Sequence, residues 1–135
     1  MATTPPNRAS ARLERWRIDA GEADVATLDI PGALGRTRRF EVDVRFVVRA
    51  PLDVRDAWLE LTVELDGRRQ WQRRIATALP GETESLDYRC GVQLPPGPGL
   101  RVRALTAVHG AQRRQLVIEA EEQADEPPGH AEAGA

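Results

Sequence analysis

The run Arg39-Phe40-Glu41-Val42-Asp43-Val44-Arg45-Phe46-Val47-Val48-Arg49 decides the fold class. Its even positions are all apolar, and its odd positions are charged except at Val47. Successive strand side chains point to opposite faces, so a period of two predicts a strand with one face in a core and one in water.

The pattern repeats on both sides of this run. Leu59, Leu61, Val63 and Leu65 alternate with Trp58, Glu60, Thr62 and Glu64, and Asp66-Gly67 then supplies a hairpin turn. Arg69–Leu79 alternates more weakly, through Trp71, Ile75 and Leu79, and closes at Pro80-Gly81. Leu86, Tyr88, Cys90, Val92 and Leu94 form another apolar face, ended by Pro95-Pro96-Gly97-Pro98-Gly99. Leu100–Val108, the turn His109-Gly110 and Leu116–Ala120 complete the series. Upstream, Leu13–Asp19 and Val25–Ile30 read as one strand broken around Gly21.

No segment carries a capped helical stripe, and about seven short strands with regular turn signals predict an all-β antiparallel sandwich. The predicted core is Phe40, Val42, Val44, Phe46, Leu59, Leu61, Val63, Tyr88, Val92, Val102 and Ile118. With 135 residues, the chain fits one domain. That domain is expected over 12–120, after a flexible arm (1–11) and before a disordered acidic tail (121–135).

Two hairpin registers are open to choice. A two-residue turn at Asp66-Gly67 pairs Glu64 with Arg69 and leaves Trp71 in water beside Trp58. A three-residue turn pairs Val63 with Trp71 and Leu59 with Ile75, burying both apolar partners. Apolar burial at roughly 25 cal/mol per Å² outweighs two surface ion pairs, so Trp71 is expected inside. The last two strands are expected to pair as a hairpin, with Arg101 and Arg103 facing Glu119 and Glu121.

The segment Leu94-Pro95-Pro96-Gly97, Leu100–Val108, His109-Gly110 and Leu116–Ala120 resembles the end of bacterial immunoglobulin-like and fibronectin type III-like domains. There a Leu-Pro-x-Gly corner leads into an alternating strand, a Gly-centred hairpin and a last strand. The resemblance implies an immunoglobulin-like sandwich and carries no function with it.

Composition narrows the function classes. All 19 basic residues are arginine, which suggests a GC-rich coding sequence and a bacterial source. They nearly balance 21 acidic residues, for a net charge of −2. A nucleic-acid or anionic-membrane binder is expected to carry a basic excess, so neither partner is expected. Phe46-Val47-Val48 is far shorter than a membrane span, and Met1–Ser10 lacks signal-peptide character, so the expected location is the cytoplasm.

Catalytic constellations are missing from the pattern. Ser10, Ser85, His109 and His130 give no nucleophile with a base and an orienting group. Two histidines and the single Cys90, expected buried, make a poor metal set. Glu60 and Glu64 share a strand face but read as solvated or arginine-paired. The proline corner cannot cradle phosphate, because its prolines lack N–H groups. No cofactor and no enzyme activity is expected.

What remains is surface. One end of such a sandwich collects Arg36, Arg38, Arg39, Arg68, Arg69 and Arg101, a candidate site for an acidic protein partner. Trp58 faces outward by parity and is a candidate binding residue. The leading expectation is a non-catalytic protein-interaction module, an adaptor or accessory subunit. A carbohydrate-binding module using strand-borne tryptophans comes second, and an enzyme of unrecognised type third.

Overall fold

A computed structural model describes residues 13–124. The arm expected over 1–11 and the tail from Asp125 onward lie outside the described residues. The eight strands are β1 (Arg15–Asp19), β2 (Val25–Ile30), β3 (Arg38–Arg49), β4 (Trp58–Leu65), β5 (Arg68–Ala76), β6 (Thr83–Leu94), β7 (Leu100–His109) and β8 (Gln112–Glu122). They form two four-stranded antiparallel sheets, β1-β8-β3-β6 and β2-β7-β4-β5.

The antiparallel sandwich is as the alternation predicts. Phe40, Val42, Val44, Phe46 and Val48 of β3 are at most 1% exposed, and so are Leu59, Leu61 and Val63 of β4. Val102 and Ile118 are equally buried, whereas Tyr88 and Val92 are only half-buried. Those two lie on β6, an edge strand with a neighbour on one side only.

The strand order differs from the immunoglobulin-like expectation. Six of the seven connections cross from one sheet to the other, and only β4–β5 is a hairpin within a sheet. An order of 1-8-3-6 over 2-7-4-5 is that of an eight-stranded jelly roll. The segment read as one broken strand is two, β1 and β2, in opposite sheets. Between them Gly21 takes φ +60°, and its N–H donates to the Asp19 carboxylate at 2.9 Å. The expected β7–β8 hairpin is likewise a crossing, because His109-Gly110-Ala111 passes between sheets. Arg101 and Arg103 do face outward, but their cross-strand neighbours are Asp29, Thr27 and Glu64, not residues of β8.

The β4–β5 hairpin contains parts of both expected registers. At the turn Leu65 faces Arg68 and Glu64 faces Arg69, as a two-residue turn requires. A bulge then skips Gln70, so Val63 faces Trp71 and Leu59 faces Ile75. One extra residue thus keeps the Glu64–Arg69 row outside and turns Trp71 and Ile75 inward. Both remain half-buried, because β5 is an edge strand.

β8 continues two residues past the expected domain limit. Glu121 and Glu122 belong to the strand, with Glu122 facing Phe40 across the ladder. Their acidity suggested tail, but Glu122 sits at an inward position of β8 with cationic partners waiting for it.

Leu61 is fully buried on the central strand β4. Leu61→Ala is expected to cost about 2–5 kcal/mol, read as a lower urea midpoint at unchanged m-value. An unchanged midpoint contradicts the face assignment.

Candidate functional site

The six arginines picked from the sequence do gather at one end, where β3, β5 and β7 begin. Three of them, Arg36, Arg38 and Arg101, meet acids there. Arg38 is only 2% exposed, with Nη1 donating to Glu14 Oε1 at 2.7 Å and Nη2 to the Pro31 carbonyl at 2.9 Å. Its guanidinium lies 5.3 Å from the Phe40 ring centroid, and Nε has no partner among the described residues. Arg36 donates to Glu122 and, at 3.1 Å, to Glu14. The Glu14 N–H donates to Glu122 Oε1 at 3.0 Å. Four alternating charges thus lock the start of β1 and the end of β8 to the start of β3.

Glu122 is 6% exposed. Burial alone would raise its carboxyl pKa, but hydrogen bonds from Arg36 and the Glu14 backbone, with the charges of Arg36 and Arg38, outweigh burial and hold it below the ordinary value.

The other candidates are spread across the same end. Arg101 pairs with Asp29 at 2.8 Å, and its N–H donates to Asp66 Oδ1 at 2.9 Å. Arg39 reaches the Ala124 carbonyl at 3.2 Å and Arg69 the Gln72 side chain at 2.6 Å. Arg68 is exposed. A shallow, open cleft of about 950 Å³ runs over this end of the second sheet. It sets Asp29, Glu64 and Asp66 against Arg101 and Arg103, so it has no net basic character. The region is largely a self-neutralised latch, and of the six arginines Arg39, Arg68 and Arg69 carry charge without a carboxylate partner among the described residues.

Trp58 lies at the opposite end, on the outer face as its parity requires. Its place in the strand order puts β7 on one side and β5 on the other. His109 of β7 stacks with it at 6.0 Å between ring centroids, and the Arg74 guanidinium of β5 sits 3.7 Å over its ring. Glu60 holds Arg74 in place at 3.3 Å. The loops on this end expose Leu52 at 80% and Leu79 at 60%. Leu52 lies over Gly81, whose φ of +84° shapes the β5–β6 connection. Sequence reading missed both leucines as surface features: Leu52 sits alone among turn residues, and Leu79 reads as the last apolar position of a strand over Arg69–Leu79, whereas β5 ends at Ala76 and leaves Leu79 in the loop.

Trp71 stacks on Tyr88 at 4.8 Å where the two sheets open between β5 and β6. Cys90, half-buried on the same face as Tyr88, has its thiol pKa pushed up, mainly by burial. The Tyr88 hydroxyl is pushed up for the same reason, with Cys90 adding to it. Neither group is primed as a nucleophile. Trp16 turns its indole N–H to Glu14 at 3.0 Å.

No family model matches the chain, and no curated protein matches its sequence. Solved structures resemble it in fold. Dimeric latent PorU from Porphyromonas gingivalis is 11% identical with a TM-score of 0.51, over 84% of this chain and 13% of that one. The Eiger TNF of S. frugiperda is 13% identical with a TM-score of 0.46, over 86% and 96% of the two chains. This chain therefore corresponds to about 13% of the length of the PorU chain. The PorU likeness supports a two-sheet β-sandwich and is confined to the fold.

The latch makes two expectations measurable. Glu14→Ala strands the Arg38 guanidinium and is expected to cost about 3 kcal/mol in urea unfolding, whereas Arg38→Met removes the buried charge itself and costs about 1 kcal/mol or less. Equal costs contradict the latch. Because the folded-state pKa of Glu122 is depressed, its stabilisation is present above the ordinary carboxylate range and is lost as pH falls through the folded value. Glu122→Gln is therefore expected to flatten the acid limb of the stability–pH curve, and an unaltered limb contradicts the assignment.

Proposed function

We propose that this domain is a non-catalytic protein-interaction module that docks through the end carrying Trp58, Leu52 and Leu79. The observation that carries the reading is the contrast between the two ends of the sandwich. Both ends expose leucines, Leu13 and Leu34 near the latch and Leu52 and Leu79 opposite it, but the latch end closes on its own ion pairs, whereas the opposite end adds the outward Trp58 and its Arg74 to its two leucines. Exposed apolar groups of this kind, next to an aromatic anchor and an arginine, suit a protein partner.

The tryptophans favour this over sugar binding. Stacking on a sugar needs an open ring face. Trp58 is flanked by His109 and Arg74, and Trp71 lies against Tyr88. An acidic partner remains compatible with the latch end, where it would meet Arg39, Arg68 and Arg69.

The test is co-purification from cells producing the tagged chain at native level, followed by binding measurements with the recovered partner. Trp58→Ala is expected to weaken binding by about 2 kcal/mol, roughly thirtyfold in Kd. Leu52→Glu combined with Leu79→Glu is expected to abolish it, and Gln93→Ala, on the outer face of the other sheet, to leave it intact. Absence of a stoichiometric partner, or binding blind to the first two variants, overturns the proposal. So does a change in tryptophan fluorescence on titration with an oligosaccharide panel.

A further inference from the structure

The sandwich has four edge strands, and three of them carry features that discourage pairing with another chain. β1 and β2 are short, at 5 and 6 residues. β5 bears Arg68, Arg69, Arg73 and Arg74 and is kinked by the bulge at Gln70. β6 is different. It runs 12 residues from Thr83 to Leu94 without proline, and it pairs with β3 in one unbroken register. Its other edge has no strand beside it among the described residues. Every second residue of β6 therefore points its backbone N–H and C=O outward with nothing to bond.

We propose that the free edge of β6 is an interface between two copies of this chain, joined antiparallel about a dyad at Tyr88. The surface is separate from the docking end described above, and the proposal does not depend on that reading. Facing residues in an antiparallel pair share a face, so the register can only shift in steps that keep this parity. With the dyad at Tyr88, Asp87 faces Arg89 of the second copy and Arg89 faces its Asp87. On the inner face Tyr88 meets its own equivalent, and Leu86 meets Cys90. Thr83 through Gln93 are all paired.

The neighbouring registers lose this complementarity. One step in one direction sets Asp87 against Asp87, and one step in the other sets Arg89 against Arg89. A further step toward the C-terminus faces Arg89 with Gly91 and leaves Asp87 opposite Gln93. Within one copy Arg89 already pairs with Asp43 at 2.9 Å and Asp87 with Arg45 at 3.8 Å; across the copies only the Tyr88 dyad sets these two residues opposite each other, and self-complementarity of this kind defines a two-fold interface. The half-buried Trp71–Tyr88 stack lies at this edge, so pairing also covers apolar surface left open in one copy. Arg73 of β5 lies two residues beyond Trp71. In the pair the two Arg73 residues fall on opposite sides of the dyad, roughly 13 Å apart along the strands, beyond the screening length at physiological salt.

Sedimentation velocity of the full chain over rising concentration is expected to show a monomer–dimer equilibrium. Asp87→Asn removes both cross-copy charge pairs and is expected to raise the dimer dissociation constant roughly fivefold. Its own intrachain partner, Arg45, is exposed and 3.8 Å away, so the melting temperature is expected to hold. Register is read by disulfide capture in a Cys90→Ala background. Tyr88→Cys is expected to cross-link two copies on mild oxidation, and Arg89→Cys to do so poorly. A chain that stays monomeric at high micromolar concentration overturns the proposal. A dimer that captures at Arg89→Cys and not at Tyr88→Cys, or that ignores Asp87→Asn, overturns it equally.

Discussion

The inner face of β3 is the constraint on which the rest of the structure depends. Its five apolar side chains, Phe40 to Val48, are buried completely or nearly so, and β3 is flanked by β6 and β8 along almost its whole length. Burial of that face demands a second sheet, and β4 and β7 supply it with Leu59, Leu61, Val63, Val102 and Ala104. Edge strands then add in pairs, one to each side of each sheet. The jelly-roll order follows from connections that cross between the sheets and from the single β4–β5 hairpin.

The ion-pair latch follows from that geometry. The first and last strands of the described domain lie side by side in one sheet, with the start of β1 and the end of β8 beside the start of β3. Buried backbone at such a corner needs polar partners, and a buried arginine needs a carboxylate. Glu14 and Glu122 meet both demands at once. Leucines stand in water at both ends, Leu13 and Leu34 here and Leu52 and Leu79 opposite, but the opposite end has no such four-charge network and also carries the outward Trp58. Function is therefore sought there and along the unpaired edge of β6, where the domain's own residues leave interactions unmade.

Strand parity was legible because it depends only on local alternation. Phe40, Val42, Leu59 and Leu61 were placed inside, and Trp58 outside, from their neighbours in sequence alone. Sheet membership was not legible, since His109-Gly110 and Pro31-Gly32 mark a reversal without saying whether the chain returns in the same sheet. The bulge at Gln70 was hidden for a related reason: no local signal separates a longer turn from a bulge two residues later, and the structure combines both. Glu122 looked like tail because acids at a chain end usually are solvated. The signal that places it is its even spacing after Leu116, Ile118 and Ala120. The partners of Trp58 were invisible, because His109 and Arg74 reach it only through strand pairing distant in sequence.

Residue-resolved amide hydrogen exchange in dilute solution tests most directly the view of β3 as the spine and β6 as an open edge. The account predicts that β3 amides exchange only through global unfolding, and that β6 alternates, slow where the N–H meets β3 and fast where it points outward. Uniform protection along β6 in the monomer, or β3 exchanging as fast as the edges, would contradict it.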